Sequence, residues 1–571
     1  MSTVERLSHL SGSKWLGSPH TPDNCDFNQL TKSPDVPRSN TQDVEEGGGA
    51  LRAGGAPRLL SKESCGLLAQ YAAVGLVYGT LPSTITPFLT YYLNMEGTAT
   101  TSARALLAIP WSLKVFIGML SDNVPLFGYR RRPYMVLGWS LAATCLFIMA
   151  AMPLSPPYFQ DPADRRVKPQ DYDRLGITSR LNPHAADSGG MYIVLMMLAS
   201  LGYLIADVAA DAVVVEYAQR EPEAIRGRTQ TAIYTTRTFF GIFAQLLLAF
   251  GLSSAPYGGD FDFGMSFSSI MLVLAIVCVV VIPVTWLFIT ENVCVRSQMP
   301  AFSTYIALLW DAIQSRAFYQ VIAYSFVSGV FASVSYVAHD PITSYWVRAT
   351  SFNLSLSNIL GSVVTVITLI WTGRVGLHWN WRTMMVLTML SVIALDAVTT
   401  MLVTWDVVRN QWFWLGVPIV EQVPASISFI ISTFIVVELA GEGTEGACYG
   451  LLTTVMNLSS PFALTITKNL NAPFQVNNRD ILTDSTAVRR DVTITILLSY
   501  VAKLFSLVFL VWLPRQKAET QALKEHGGRS KRMGILTVSY CGFALVWSIL
   551  TNLFAIFEST KCLKITGGCH A

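Results

Sequence analysis

Apolar residues in this chain run in blocks of about 20 between short polar interruptions, the length at which an α-helix crosses a hydrocarbon core of roughly 30 Å. The blocks predict spans near residues 66–93, 101–121, 133–152, 190–217, 229–252, 267–290, 316–339, 354–374, 382–404, 411–437, 445–470 and 492–513, with a thirteenth near 533–557. No alternating strand pattern of about ten residues recurs. Lipid satisfies no backbone groups outside helices and closed barrels, so the expected fold is an all-α polytopic membrane protein. Residues 1–60, ending in "EEGGGALRAGGAP", lack apolar periodicity and are expected to form a disordered cytoplasmic tail. They also lack the apolar core of a cleavable signal peptide, which leaves targeting to the first span.

Composition agrees with a membrane protein. Hydrophobic residues make up 52% of the chain and charged residues 13%, against about 25% charged in a typical soluble domain. The basic segments "GYRRRP", "QREPEAIRGR" and "PRQKAETQALKEHGGRSKR" fall on one side of the membrane, which is therefore cytoplasmic. The long loops at 153–189 and 471–491 carry basic residues too, but long loops count for less. Nine cysteines are scattered with no CxxC and no Cys/His cluster, so neither a metal nor a cofactor is expected. The implied surroundings are the lipid bilayer and a small-molecule substrate, with no nucleic-acid partner. The sequence leaves the oligomeric state open.

A repeat appears at an offset of 222 residues. "VVVEYAQREPE" (213–223) aligns with "IVVELAGEGTE" (435–445), matching Glu216 with Glu438 and Glu223 with Glu445. Each piece ends an even-numbered span. Two six-helix halves of the same orientation follow, the parallel repeat of the major facilitator architecture. The expected organisation is a tail (1–60), an N-terminal half (61–295), a C-terminal half (296–515), and a last unit (516–571) of cytoplasmic linker, thirteenth helix and short tail. Such a thirteenth span would put Cys562 and Cys569 in an oxidising space where they could pair.

Between the second and third spans stands "GMLSDNVPLFGYRRRPY". Asp122 ends a helix, Gly128 suits a turn, and Arg130, Arg131 and Arg132 cluster. One reading is a topology determinant. The loop also resembles the cytoplasmic motif of major facilitators, in which the acid helps latch the outward-facing state. Asp122 is read here as an exposed acid of little weight in stability. The matching loop of the second half, "WTGRVGLHWNWR", keeps Gly373 and Arg374 but has no acid. In its long form, with "IPWSLKVFIG" before it and "ADVAADAVVVEYAQR" in the fourth span, the loop is similar to that of the folate-biopterin transporter family, over roughly residues 66–513. The resemblance implies proton-linked uptake of a pteridine such as folate or biopterin. S-adenosylmethionine and nucleoside-like solutes stay open as substrates.

Ionisable residues inside spans are costly and mark pathways or buried pairs. Counting from the cytoplasmic end at about 1.5 Å per residue places Lys114, Asp207, Asp211 and Arg237 at similar depth in the N-terminal half. Asp207 and Asp211, at i and i+4, share a face. The four are candidates for substrate binding or proton coupling, or for a structural network. Asp211 is expected to pair with Arg237, and Asp207 to serve the pterin or the proton. Glu421 is the candidate from the second half. Asp396 and Lys503 are expected to form a buried structural pair. Thr235 and Asn457, at matched repeat positions, and Tyr78 are further possible contacts.

No Walker A, HExxH or GxSxG pattern occurs and the seven histidines are dispersed, which argues against a pump or an enzyme. A secondary transporter, in the plasma membrane, is the reading the sequence favours. A receptor that binds without moving its ligand is the alternative.

Overall fold

The computed structural model describes residues 48–571 except 59–60, 96, 167–170, 260, 294–301, 350, 442–443, 472, 477, 555–559, 561–562 and 564–571. Cys562 and Cys569 lie outside the described residues.

The first half holds α1 (Lys62–Thr80), α2 in two pieces (Gly97–Ser112 and Lys114–Asn123), α3 (Arg132–Ala151), α4 (Gly189–Gln219), α5 (Arg228–Gly251) and α6 (Phe267–Phe288). A short helix, Phe302–Gln314, leads to the second half. There follow α7 (Arg316–Ala332), α8 (Ser351–Val375), α9 (Trp381–Thr404), α10 (Gln411–Leu439), α11 (Glu445–Asn471) and α12 (Thr486–Ser506). A helix at Lys517–His526 and α13 (Lys531–Phe554) complete the chain. Nine helices among the described residues are long and apolar enough to cross a membrane. The remaining spans need packing as well as hydropathy to be recognised.

Local chemistry explains the irregular spans. Beyond α1 the chain passes through a 3-10 turn that begins at Pro82 into a π-helical stretch, Ile85–Tyr92; proline cannot donate to the helical ladder. α2 breaks at Leu113, whose N–H donates to the Pro110 carbonyl at 2.9 Å, and Lys114 follows the break directly. The predicted seventh span also breaks, because α7 stops at Ala332 and the chain resumes only at His339.

The halves meet along two seams, α2 with α11 and α5 with α8. Small residues allow the first. A Cβ on Gly118 would run into the Gly446 carbonyl, and one on Gly450 would lie 2.9 Å from the Lys114 carbonyl. α13 packs on α2, α7 and α11, beside that seam. Tyr540 stacks on Phe326 of α7, and Trp547 on Phe462 of α11.

Candidate functional site

Two sites lie on the axis between the halves, an ion-pair cluster at one end, the latch, and a cavity beside it. The latch begins with a tight turn. Phe127 and Gly128 have φ of +53° and +80°, while Leu126 and Tyr129 exchange backbone hydrogen bonds of 2.9 and 3.0 Å. The turn explains the six positions from Asp122 to Gly128, because it folds Arg130 and Arg131 back under the end of α2. Glu291, beyond α6, accepts the backbone N–H groups of Arg130, Arg131 and Arg132 at 2.6, 2.9 and 3.1 Å.

Asp122 is 1% exposed, which corrects the expectation of an exposed acid. Arg131 Nη1 lies 2.6 Å from its Oδ1 and Arg130 Nη2 3.5 Å away. Asp122 also accepts the N–H groups of Gly446 and Ala447 at 3.1 and 2.7 Å and the Tyr305 hydroxyl at 3.1 Å. An acid from the first half thus caps the N-terminus of α11 in the second, where the helix dipole favours negative charge. Arg131 continues to Glu216 of α4 at 3.4 Å and to Glu445 of α11 at 3.3 Å. Burial works against the Arg131 charge, but Asp122, Glu216 and Glu445 outweigh it and raise its pKa. Arg132 stands apart, over the rings of Tyr129 and Trp286 at 5.1 and 6.0 Å. The same face is tied a second time by Arg226, 2.8 Å from Glu438.

The cavity has a volume of about 780 Å³ and draws its walls from both halves. Lys114 is 3% exposed and bridges two carboxylates, Asp207 at 2.8 Å and Asp211 at 3.0 Å. The Tyr71 hydroxyl donates to Asp211 at 2.5 Å. Lys114 and Asp211 reach the cavity wall, whereas Asp207 lies behind them. Its Oδ1 is buried without a hydrogen-bond partner.

The expected Asp211–Arg237 pair does not form. Lys114, projecting just beyond the α2 break, takes both aspartates. Arg237 instead lies over Tyr78 at 5.0 Å and Trp111 at 5.8 Å, on the cavity wall. It enters no ion pair among the described residues. Arg104, which donates to Thr86 at 2.6 Å, adds another guanidinium to the lining. The wall from the second half is uncharged and includes Thr433, Thr453, Asn457 and Ser460. Tyr234 and Tyr449 join hydroxyls across the halves.

Tyr78 and Asn457 line the cavity as the sequence suggested, and Thr235 does not. Glu421 is also absent from the wall. Its electrostatic neighbours are Asp396 and Lys503, which places it on the α9–α12 side of α10. The expected Asp396–Lys503 ion pair is replaced by contacts through Tyr500. That hydroxyl donates to Asp396 at 2.9 Å, and Lys503 lies 5.8 Å from the ring centre. Among the described residues, no group of three or more His, Cys, Asp or Glu could hold a metal ion.

Sequence reasoning missed Tyr71, Trp111, Arg104 and Glu291. It also missed the docking of residues 48–58, within the expected disordered tail. The repeat had flagged Glu216, Glu438 and Glu445, but as signs of duplication.

A family model described as the BT1 family matches residues 75–160 and 181–532. A "Folate-biopterin transporter" of Synechocystis sp. is 24% identical over 422 residues, covering 71% of this chain and 74% of the relative. "Probable folate-biopterin transporter 4" of Arabidopsis thaliana is 23% identical over 163 residues, 28% of this chain and 27% of the relative. Among solved structures, a D-xylose-proton symporter aligns at 13% identity and TM-score 0.50, covering 79% of this chain and 98% of the symporter. A second, the proton:xylose symporter XylE bound to 6-bromo-6-deoxy-D-glucose, gives 11% and 0.51, covering 81% and 98%. At such identities these likenesses establish the fold, that of the major facilitators.

Proposed function

The chain belongs to the BT1 family, and from that premise we propose that it is a proton-coupled secondary transporter of a pteridine such as folate or biopterin, working in the plasma membrane. The observation that carries this reading is the cavity between the halves, closed beneath by the latch and walled by the Lys114 cluster and by Arg237, which enters no ion pair among the described residues. Its volume, about 780 Å³, falls within the roughly 300–1,000 Å³ of small-molecule sites.

In this reading the planar ring lies against Tyr78 and Trp111. Arg237 and Arg104 take carboxylates by paired N–H bonds. Lys114, Arg104 and Arg237 outnumber Asp207 and Asp211, so the wall favours an anion. Asp211 faces the cavity and offers its oxygens to the donor edge of a pterin. We assign proton coupling to Asp207, which Lys114 holds behind the wall through one oxygen while the other, Oδ1, is buried without a hydrogen-bond partner among the described residues.

Uptake of labelled folate, biopterin and S-adenosylmethionine, in cells lacking their own carriers and with or without a protonophore, tests the proposal. Accumulation of a pteridine that collapses with the protonophore is the expected result. Uptake of S-adenosylmethionine alone would overturn the substrate class. No uptake, with the protein confirmed at the cell surface, would overturn transport of any of the three.

A further inference from the structure

The stretch Gly48–Pro57 precedes the first span, yet it lies docked across the cytoplasmic face. The N–H groups of Leu51 and Arg52 donate to the Gln219 carbonyl at the end of α4, at 2.9 and 3.1 Å. The Glu223 N–H donates to the Gly48 carbonyl at 3.0 Å, and Arg226 donates to the Gly49 carbonyl. Gly48, Gly49, Gly54 and Gly55 have φ of +60°, +80°, +113° and +69°, so the path needs glycine. Residues 53–56 are exposed, and the segment brings little apolar surface. Polar contacts hold it, so it can leave.

Its one charge within this stretch is placed between the halves. Arg52 Nη2 lies 2.6 Å from Glu445 at the start of α11, and Nη1 lies 3.7 Å from Glu216 on α4. Without Arg52, the carboxylates of Asp122, Glu216 and Glu445 would share only Arg130 and Arg131 among their described ion-pair partners. Arg52 supplies the third cation. Among the described residues its backbone bonds run to Gln219, Glu223 and Arg226 of the first half, so parting of the halves here breaks the Arg52–Glu445 contact and leaves these bonds in place.

We propose that Gly48–Pro57 is a strap that locks the protein closed towards the cytoplasm, and that withdrawal of Arg52 from Glu445 is required before that side opens. The proposal rests on the transporter reading above, with the cavity closed beneath by the latch, but not on any substrate. It makes the segment ahead of the first span a brake on transport, with Arg52 as its tooth.

Cys448 supplies a native reporter. It is buried one turn above Glu445, with its Sγ 3.5 Å from the Thr444 hydroxyl. A small impermeant thiol reagent is applied to the cytoplasmic side of oriented membranes, and Cys448 labelling is quantified by peptide mass spectrometry at equal amounts of folded protein. Arg52→Ala, Arg52→Gln and deletion of residues 48–57 should each speed labelling about tenfold, a gate shift of about 1.4 kcal/mol. Arg52→Lys should stay near the native rate, and Asp122→Asn serves as an opened control. Native-rate labelling in the Arg52 variants and the deletion, with Asp122→Asn fast, overturns the strap and leaves the transporter reading standing. Native-rate labelling in all of them, Asp122→Asn included, removes the gate and the strap with it.

Discussion

Asp122→Asn is the most direct probe of how the two halves are held. The side chain is isosteric, but its amide can accept on one side only. The other side presents an NH2 group to donors that now face a carboxylate: Arg131 at 2.6 Å and the N–H groups of Gly446 and Ala447 at 3.1 and 2.7 Å. Charge-assisted hydrogen bonds contribute about 1.5–3 kcal/mol each, and breaking a buried ion pair from one side costs about 3–5 kcal/mol. Gly446 and Ala447 belong to the opposite half, so much of the loss falls on the state closed to the cytoplasm. In the open state Asp122 meets water, and the amide loses little there. A differential of about 3 kcal/mol moves the closed-to-open ratio about a hundredfold. Spin labels at Phe127→Cys in the first half and His526→Cys, in the helix that follows the second half and packs on α7 and α10, in a cysteine-depleted background, read the change by pulsed electron resonance. The variant should show a longer, broader distance distribution and slower pteridine uptake. An unchanged distribution with native uptake would reduce the Arg loop to a topology signal.

Other perturbations test the cavity and the end of the helices remote from the Arg loop. Lys114→Met strands Asp207 and Asp211 as buried carboxylates and should destabilise the fold by about 3–5 kcal/mol, read as loss of monodisperse protein in size exclusion. Adding Asp207→Asn and Asp211→Asn should restore the protein but not uptake; native uptake by the triple variant would make the cluster purely structural. Arg237→Gln should keep near-native thermal stability, because among the described residues Arg237 has no ion-pair partner to strand, while uptake falls more than about tenfold; collapse of expression would refute that placement. At the end of the helices remote from the Arg loop, hydrogen bonds from Arg409 at 2.6 and 2.9 Å, and from Arg489, hold the Asp484 carboxyl down to about 2. Its folded pKa is below the ordinary carboxylate value of about 3.9. The stabilisation is therefore complete above that value and is lost as pH falls towards about 2. Melting between pH 5 and 3 should show a smaller loss in Asp484→Asn than in the native protein.

The sequence by itself determined that this is a polytopic helical protein, because hydropathy and span length follow from composition along one dimension. It also determined the family likeness, which rests on contiguous motifs such as "GMLSDNVPLFGYRRRPY". It selected Lys114, Asp207, Asp211 and Arg237, because a charge inside an apolar block stands out without any structure. Partner choice was decided only in three dimensions. The break at Leu113 aims Lys114 at both aspartates and leaves Arg237 to the rings of Tyr78 and Trp111. Which face of α10 carries Glu421 depends on helix rotation, and hydropathy does not encode it. Asp122 was legible as a motif residue, but its burial comes from α11, more than 300 residues away in sequence. The docking of Gly48–Pro57 was the least legible feature. Its glycine-rich composition reads as disorder until Gln219, Glu216 and Glu445, brought together by the two halves, offer its backbone and its arginine a place to bind.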